Sequence, residues 1–222
     1  NEAWQNVLAF GMHSRYSGYF DIDWAPLEDS LQGKVLLPFL GKPYGQCLDD
    51  GEISLVKYGS SFRASYGEHN FSLAPSSYAK LLAAAMLQHE RSDLYVDIKE
   101  LQESYASLTP EDVERAEMLE RRLDRIAEQV NWESALATFT GLGLHHLLEQ
   151  QNWRLAYWKA ASYEINYRRF FDVNGLFALR VQDDEVFWSS HRLVSELLAD
   201  DIVCRLLLEK KNGLFDPQAY LQ

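Results

Sequence analysis

Between Thr109 and Val130 the sequence reads TPEDVERAEMLERRLDRIAEQV, and its apolar residues leave little choice of structure. Val113, Ala116, Leu119, Leu123, Ile126 and Val130 recur three or four apart, which lays one apolar stripe along a helix and leaves the charges to solvated faces. Thr109 reads as the N-cap and Pro110 as the first helical residue. SSYAKLLAAAMLQHE follows Pro75 with serines placed to cap it, so the spacing predicts a helical hairpin from about 77 to 138.

Upstream the period changes. From about 31 to 75 short apolar runs are cut by turn residues: KVLLPFLG, ISLVKYG and SFRASYG, with DDGE between the first two. Asp50-Gly51, followed by alternation at Ile53, Leu55 and Tyr58, signals a hairpin, and Pro38 confines its run to an edge or a loop. A small antiparallel sheet near residues 34 to 66 is expected. Phe20, Ile22 and Trp24 alternate with Asp21 and Asp23, so residues 1 to 30 also pack somewhere.

Downstream, SSHRLVSELLADDIVCRLLLEKKNG sets Leu193, Leu197, Leu198, Ile202, Val203, Leu206 and Leu207 on one helical stripe. Lysines fill its last turn and Asn212-Gly213 provides a stop. Asp183, Asp184 and Glu185 read as a turn leading into the next helix, with Asp183 or Asp184 as its cap, and Gly141 and Gly143 as a short loop. The expected fold class is α+β and helix-dominant, a small antiparallel sheet with a helical hairpin and further helices through residue 211, and not a complete TIM barrel. Its parts are 1–75, 76–141 and 142–222, or all of these as one compact domain.

Composition narrows the function. With 222 residues and 47% hydrophobic content the chain can bury a real core, and a formal net charge of -12 argues against binding nucleic acid or anionic lipid. No run approaches a membrane helix and NEAWQNVLAF is no signal peptide, which points to a cytoplasmic protein. The start at Asn1 rather than Met suggests an engineered or trimmed product. Cys47 and Cys204 belong to no metal pattern and read as reduced, mostly buried thiols. His145, His146 and Glu149 fall short of a metal site, which needs three or more converging ligands, and no metal or cofactor is expected.

SYEINYRRFFDVN, residues 162 to 174, is the densest chemistry in the chain. Flat aromatic faces beside arginines and amides are how proteins hold sugar rings and hydroxyls, and HHLLEQQNWRLAYWKAASYEINYRRFF adds Trp153, Tyr157, Trp158 and Tyr163. Aromatics at helical spacing are core more often than platform. Glu164 with Arg168, or Arg168 with Asp172, can be a plain i,i+4 pair.

YFDIDW at 19 to 24, GKVLLPFLGKPYG at 33 to 45, GEISL at 51 to 55, QQNWRLAYW at 150 to 158, EINYRRFFDVN at 164 to 174 and GLFDP at 213 to 217, in this order and spacing, resemble the maltooligosyl trehalose synthases of the α-amylase clan. That resemblance implies an enzyme that turns the reducing-end α-1,4 linkage of a maltooligosaccharide into the α,α-1,1 linkage of trehalose by retaining chemistry. It implies sugar contacts by Tyr44, Glu164, Asn166, Tyr167, Arg168, Arg169 and Asp172. It also implies that most of the catalytic (β/α)8 barrel is absent, since the chain matches the excursion between the third and fourth barrel strands.

The fourth strand departs from the family pattern. Counting back from GLFDP, Leu207 stands where an arginine belongs, Glu209 where the nucleophilic aspartate belongs and Lys210 where a histidine belongs. Two readings follow. The chain is the substrate-covering subdomain of such an enzyme, with a barrel-supplying partner or self-association to cover its open face, or it is a self-standing non-catalytic module for α-glucan or a protein partner.

Overall fold

The computed structural model describes residues 1–171, 173–205 and 217–220. Its architecture is α+β and rich in helix, with a three-stranded antiparallel sheet and a parallel pair of strands; no closed barrel is present among the described residues.

A continuous apolar run has no polar face to offer water, and VLLPFL accordingly forms β1 (Val35–Leu40), buried at nearly every position. It pairs in parallel with β5 (Trp153–Tyr157), Val35 opposite Trp153 and Leu37 opposite Leu155, and the register breaks between Leu37 and Leu40, where Pro38 has no N–H to give. The antiparallel sheet lies elsewhere, as β2 (Ile53–Tyr58), β3 (Ser61–Tyr66) and β4 (His69–Ser72). Ile53, Leu55, Phe62, Ala64 and Phe71 fill its buried face. Tyr58 opposes Ser61 and Tyr66 opposes His69, so two-residue turns close both hairpins. Each turn opens on a glycine in the left-handed region, Gly59 at φ 54° and Gly67 at φ 56°.

The hairpin expected at Asp50-Gly51 does not form. Helix α2 (Tyr44–Asp49) fills the space, and Gly51, at φ 68°, is the left-handed residue that turns the chain out of it. Strands β1 and β2 therefore belong to different sheets, and the sheet expected over 34 to 66 is corrected to 53–72. The two sheets meet through Trp153, whose indole Nε1 donates to the Ser72 carbonyl at 2.7 Å.

The expected hairpin of helices is a larger group: α3 (Tyr78–Gln88), α4 (Leu94–Ala106), α5 (Val113–Ile126) and the short α6 (Trp132–Leu136). Helix α4 has its own apolar spacing, Ile98, Leu101 and Tyr105, all buried. The α5 stripe is as expected, with Ala116, Leu119, Leu123 and Ile126 buried. Its start is later than Thr109, because the Asp112 carboxylate accepts from both Thr109 N and Thr109 Oγ1 at 2.8 Å and ties 109–112 into a turn. Ser77 stands at the start of α3 but its hydroxyl donates to Ala74 O instead of capping.

In the last third, Gly141 and Gly143 lie in α7 (Gly141–Leu148) and not in a loop, and Trp153 to Tyr157 form a strand and not a helix. Helix α8 (Asp184–Ala199) is capped by Asp183, whose carboxylate accepts from Glu185 N and Val186 N. It stops well short of 211. Asp201 adopts φ 55°, Asp201 N donates to Leu198 O and Ile202 N to Leu197 O, a Schellman closure that leaves Ile202 and Val203 beyond the helix. Leu206, Leu207, Lys210 and the Asn212-Gly213 stop lie outside the described residues; a last short helix, α9, spans Pro217–Tyr220. Cys47 is buried, but Cys204 is exposed, against expectation.

Helix α1 (Glu2–Phe10) starts on the Asn1 side chain and buries Trp4, Val7, Leu8 and Phe10. Gln5 fastens it to β4, donating to Asn70 O at 2.8 Å and accepting from Ser72 N at 2.9 Å. One buried amide holds the other side of β1. Asn166 Oδ1 accepts from Leu36 N at 3.0 Å, while its Nδ2 donates to Lys34 O and Asp23 O, each at 2.8 Å.

Asn166→Ala strips these partners from a buried backbone N–H and two carbonyls, and is expected to lower unfolding free energy by about 2–4 kcal/mol in urea titration. Leu123→Ala, at a position with no exposure, is expected to lower it by about 2–5 kcal/mol. Met118→Ala on the same helix, 52% exposed, should change it by no more than about 0.5 kcal/mol. Equal effects for the two α5 substitutions would contradict the burial of the stripe.

Candidate functional site

Residues 164 to 171 are extended and irregular, not helical, so the spacing of Glu164 and Arg168 makes no helical pair. Three short segments run side by side instead: Phe20 bridges to Leu179, Ile22 to Tyr167 and Arg169 to Phe177. Backbone bonds from Arg168 N to Asp21 O, from Ala178 N to Arg168 O and from Arg180 N to Tyr19 O complete the arrangement. The motifs YFDIDW and EINYRRFFDVN, far apart in sequence, are thus direct neighbours.

Alternation along these segments sorts their side chains. Phe20, Tyr167, Phe177 and Leu179 turn toward Trp4, which stacks on Phe177 at 3.6 Å between centroids and meets Phe20 edge-on at 4.9 Å. Burial pushes the Tyr167 hydroxyl above its ordinary pKa. Asp21, Arg168 and Arg180 take the other side. The Asp21 carboxylate accepts from Arg168 Nε at 2.7 Å, and Arg180 Nε stands 3.1 Å away, near enough for charge but poorly aligned for a hydrogen bond. Arg168 also donates to Leu179 O at 3.0 Å.

Two hollows result, one on each side of the three segments. A shallow depression of about 520 Å³ is lined by Phe20, Asp21, Ile22, Asp23, Trp24 and Arg180, with Met12, Ser17 and Gly18 at its rim. A groove of about 700 Å³ lies against Trp4, Phe39, Phe71, Phe170 and Phe177, with Asn1, Gln5, His69 and Asn70 as its polar groups. Asp21, Asp23, Trp24 and Arg180 went unassigned from sequence, although the alternating YFDIDW was itself the signal. The groove gave no sequence signal, because its rings come from four remote segments.

The expected site residues divide. Asn166, Tyr167, Arg168 and Arg169 are brought together, but the Asn166 and Tyr167 side chains are buried. Arg169 donates to Asn174 Oδ1, and Asn174 Nδ2 donates in turn to Pro38 O at 3.0 Å. Glu164 is exposed. Tyr44 stands apart on α2, its hydroxyl 3.1 Å from His145 Nδ1, and burial with the nearby Glu149 carboxylate pushes that hydroxyl up to about 12. Asp172 and Glu209 lie outside the described residues. Among the described residues no three His, Cys, Asp or Glu are placed to hold a metal, and no helix is long and apolar enough to cross a membrane. Phe171, beside Phe170 in the motif, adopts φ 51°, an uncommon conformation for an aromatic residue.

No family profile matches the chain. A protein of Mycobacterium tuberculosis (strain H37Rv) named as a maltooligosyl trehalose synthase is 25% identical over 221 residues, covering all of this chain and 19% of its own length. The solved maltooligosyltrehalose synthase of Arthrobacter ramosus superposes with a TM-score of 0.58 at 27% identity, again over all of this chain and 20% of the other. A solved glycosyltrehalose synthase gives a TM-score of 0.59 at 23% identity, a likeness of fold. The chain spans about a fifth of the length of the relatives it matches. In sequence and in fold, therefore, it is similar to one such stretch of the maltooligosyl trehalose synthases.

Proposed function

We propose that this chain is a substrate-covering subdomain of a maltooligosyl trehalose synthase, that it holds maltooligosaccharide or another α-glucan, and that it is not catalytic alone. What carries this reading is a depression of sugar size lined by YFDIDW, whose Asp21 is held by Arg168 of the neighbouring EINYRRFFDVN motif. Trp24 offers a partly exposed ring for a pyranose face, while Asp21, Asp23 and Arg180 offer directed acceptors and donors at its edge. Arg168 fixes Asp21 from behind, and Arg169 acts through Asn174 to hold the motif against β1.

Retaining glycosyl chemistry needs a nucleophile and an acid about 5 Å apart, held rigidly, on a barrel the described residues do not form. Asp21 is already engaged by two guanidinium groups, which suits it to orientation and not to attack. A chain that covers substrate for a barrel needs an apolar face toward it, and Trp188, Leu193 and Ile202 of the C-terminal third are each more than half exposed. Self-association, or a partner that supplies the barrel, covers that face in this reading.

Titration calorimetry with maltopentaose is expected to show binding that weakens at least tenfold in Trp24→Ala. Arg169→Ala should weaken it by a smaller factor, through the position of the motif. Binding equal in all three proteins would remove the depression from the site. A day's incubation of the purified chain with maltopentaose should leave reducing ends at the level of the buffer control; a loss that vanishes in Glu209→Gln would make the isolated chain an enzyme.

A further inference from the structure

The antiparallel sheet ends on one side at β2, which pairs with β3 alone. Phe62, opposite Lys57, directs its peptide groups away from β2: its N–H donates to Tyr78 Oη at 3.2 Å and its carbonyl accepts from Leu73 N at 3.0 Å. Bonding alternates along an antiparallel pair, so Ser54, Val56 and Tyr58 bond to β3 while Ile53, Leu55 and Lys57 turn their N–H and C=O outward. Among the described residues no donor or acceptor meets those outward groups.

A groove of about 550 Å³ runs along this edge. Every residue from Ile53 to Lys57 lines it, whereas a hollow on one face of the sheet would touch alternate residues only. It therefore lies at the edge itself, along about 16 Å of strand. The opposite wall comes from α6 and the start of α7, where Leu136, Phe139 and Leu144 supply apolar surface. Trp132, packed on Phe62 at 4.9 Å between ring centroids, ties that wall to the sheet.

An open strand edge matches one kind of occupant, another extended chain. A second copy of this chain fits poorly. It would bring its own α6 and α7 alongside its own β2, and paired strands come within roughly 4.8 Å, so each wall would meet the other copy's sheet. The formal net charge of -12 opposes that meeting as well. A single extended peptide meets neither obstacle, and the charges at the groove's mouth select its chemistry. Asp49, Asp50 and Glu52 are exposed at the turn into β2, and one ammonium, Lys42, serves the last two. Glu133 lines the wall, and Lys57 turns its ammonium to Gly59 O.

We propose that this groove takes an extended peptide, apolar at alternate positions and followed by lysine or arginine, which adds to β2 as a further antiparallel strand. Leu55 and Lys57 then exchange backbone hydrogen bonds with it, and its alternate side chains rest on Leu136, Phe139 and Leu144. Antiparallel addition sets its C-terminal side beside Ile53, where the carboxylates of Asp49, Asp50 and Glu52 receive the basic residues.

The probe is a synthetic peptide of alternating valine and threonine ending in two lysines, blocked at both ends. Its binding is read by titration calorimetry and by amide hydrogen exchange of the protein. On addition of peptide the Leu55 and Lys57 amides should slow at least tenfold while Ser54 and Val56, already bonded to β3, stay level. N-methylation of the alternate peptide amides that face β2, or two glutamates in place of the lysines, should each weaken binding at least tenfold. Ala137→Trp, at an exposed position in the groove wall, should do the same by filling the groove. Equal binding of the N-methylated peptide would overturn the proposal, as would binding of no peptide or slowing spread evenly along β2. Slowing of Leu55 and Lys57 that grows with protein concentration in the absence of peptide would overturn it in favour of a second copy. Should Ala137→Trp fail to fold, the exchange pattern of the wild-type chain decides alone.

Discussion

The outer edge of β1 is finished by side chains where a neighbouring strand would ordinarily lie, and the candidate site is built on that substitution. Lys34 O, Leu36 N and Pro38 O face the edge that β5 does not cover. The Asn166 amide meets the first two as a peptide group would, accepting from Leu36 N and donating to Lys34 O. The Asn174 amide takes the third, where proline offers only a carbonyl. A two-stranded parallel pair is marginal by itself. Here β1 is buried at nearly every position and its outer edge is hydrogen-bonded, so the pair can stand without further strands.

The same asparagines fix the geometry around them. Asn166 also joins the 20–24 segment through Asp23, its backbone O accepting from Asp23 N at 2.7 Å and its Nδ2 donating to Asp23 O. Once this register is set, alternation decides the rest: Phe20, Tyr167, Phe177 and Leu179 go to the core and groove, Asp21 and Arg180 to the depression, and Arg168 pairs with Asp21 from behind. The density of charge, amide and ring in SYEINYRRFFDVN has one cause. A strip one residue thick serves a buried edge, an aromatic face and a charged face together.

What could be read from the residues followed the range of the interaction. The α5 stripe, the apolar alternation of β2 and β3 and the Asp183 cap are local, set by neighbours three or four positions away, and the sequence carries them. The β1–β5 pairing is not local, and VLLPFL is as compatible with an antiparallel sheet as with a buried parallel pair until WRLAY is known to be its partner. Asp50-Gly51 misled for a similar reason, since glycine in the left-handed region ends a helix as well as it turns a hairpin. In the candidate site, the resemblance pointed to EINYRRFFDVN, whose Asn166 and Tyr167 side chains are spent on the fold. Asp21, Trp24 and Arg180 become legible only when the two motifs are seen side by side.

Stability within the chain is uneven, and the candidate site sits on the gradient. Up to β5, α1, the two sheets and the helices α3 to α7 share a cluster of buried apolar side chains. Beyond it, Trp158, Tyr163, Phe171, Trp188, Leu193 and Ile202 are each more than half exposed, and α8 buries Val186 alone among its sixteen residues. Apolar surface left in water contributes nothing to folding, so residues after β5 depend on the strip at 166–180 for their attachment. That strip is held by hydrogen bonds and by the Asp21–Arg168 pair more than by apolar contact alone. Polar attachments of this kind specify one register, because a slip of one residue would bury Arg168 and expose Tyr167. The depression is therefore well defined in shape although it borders the least buried part of the chain.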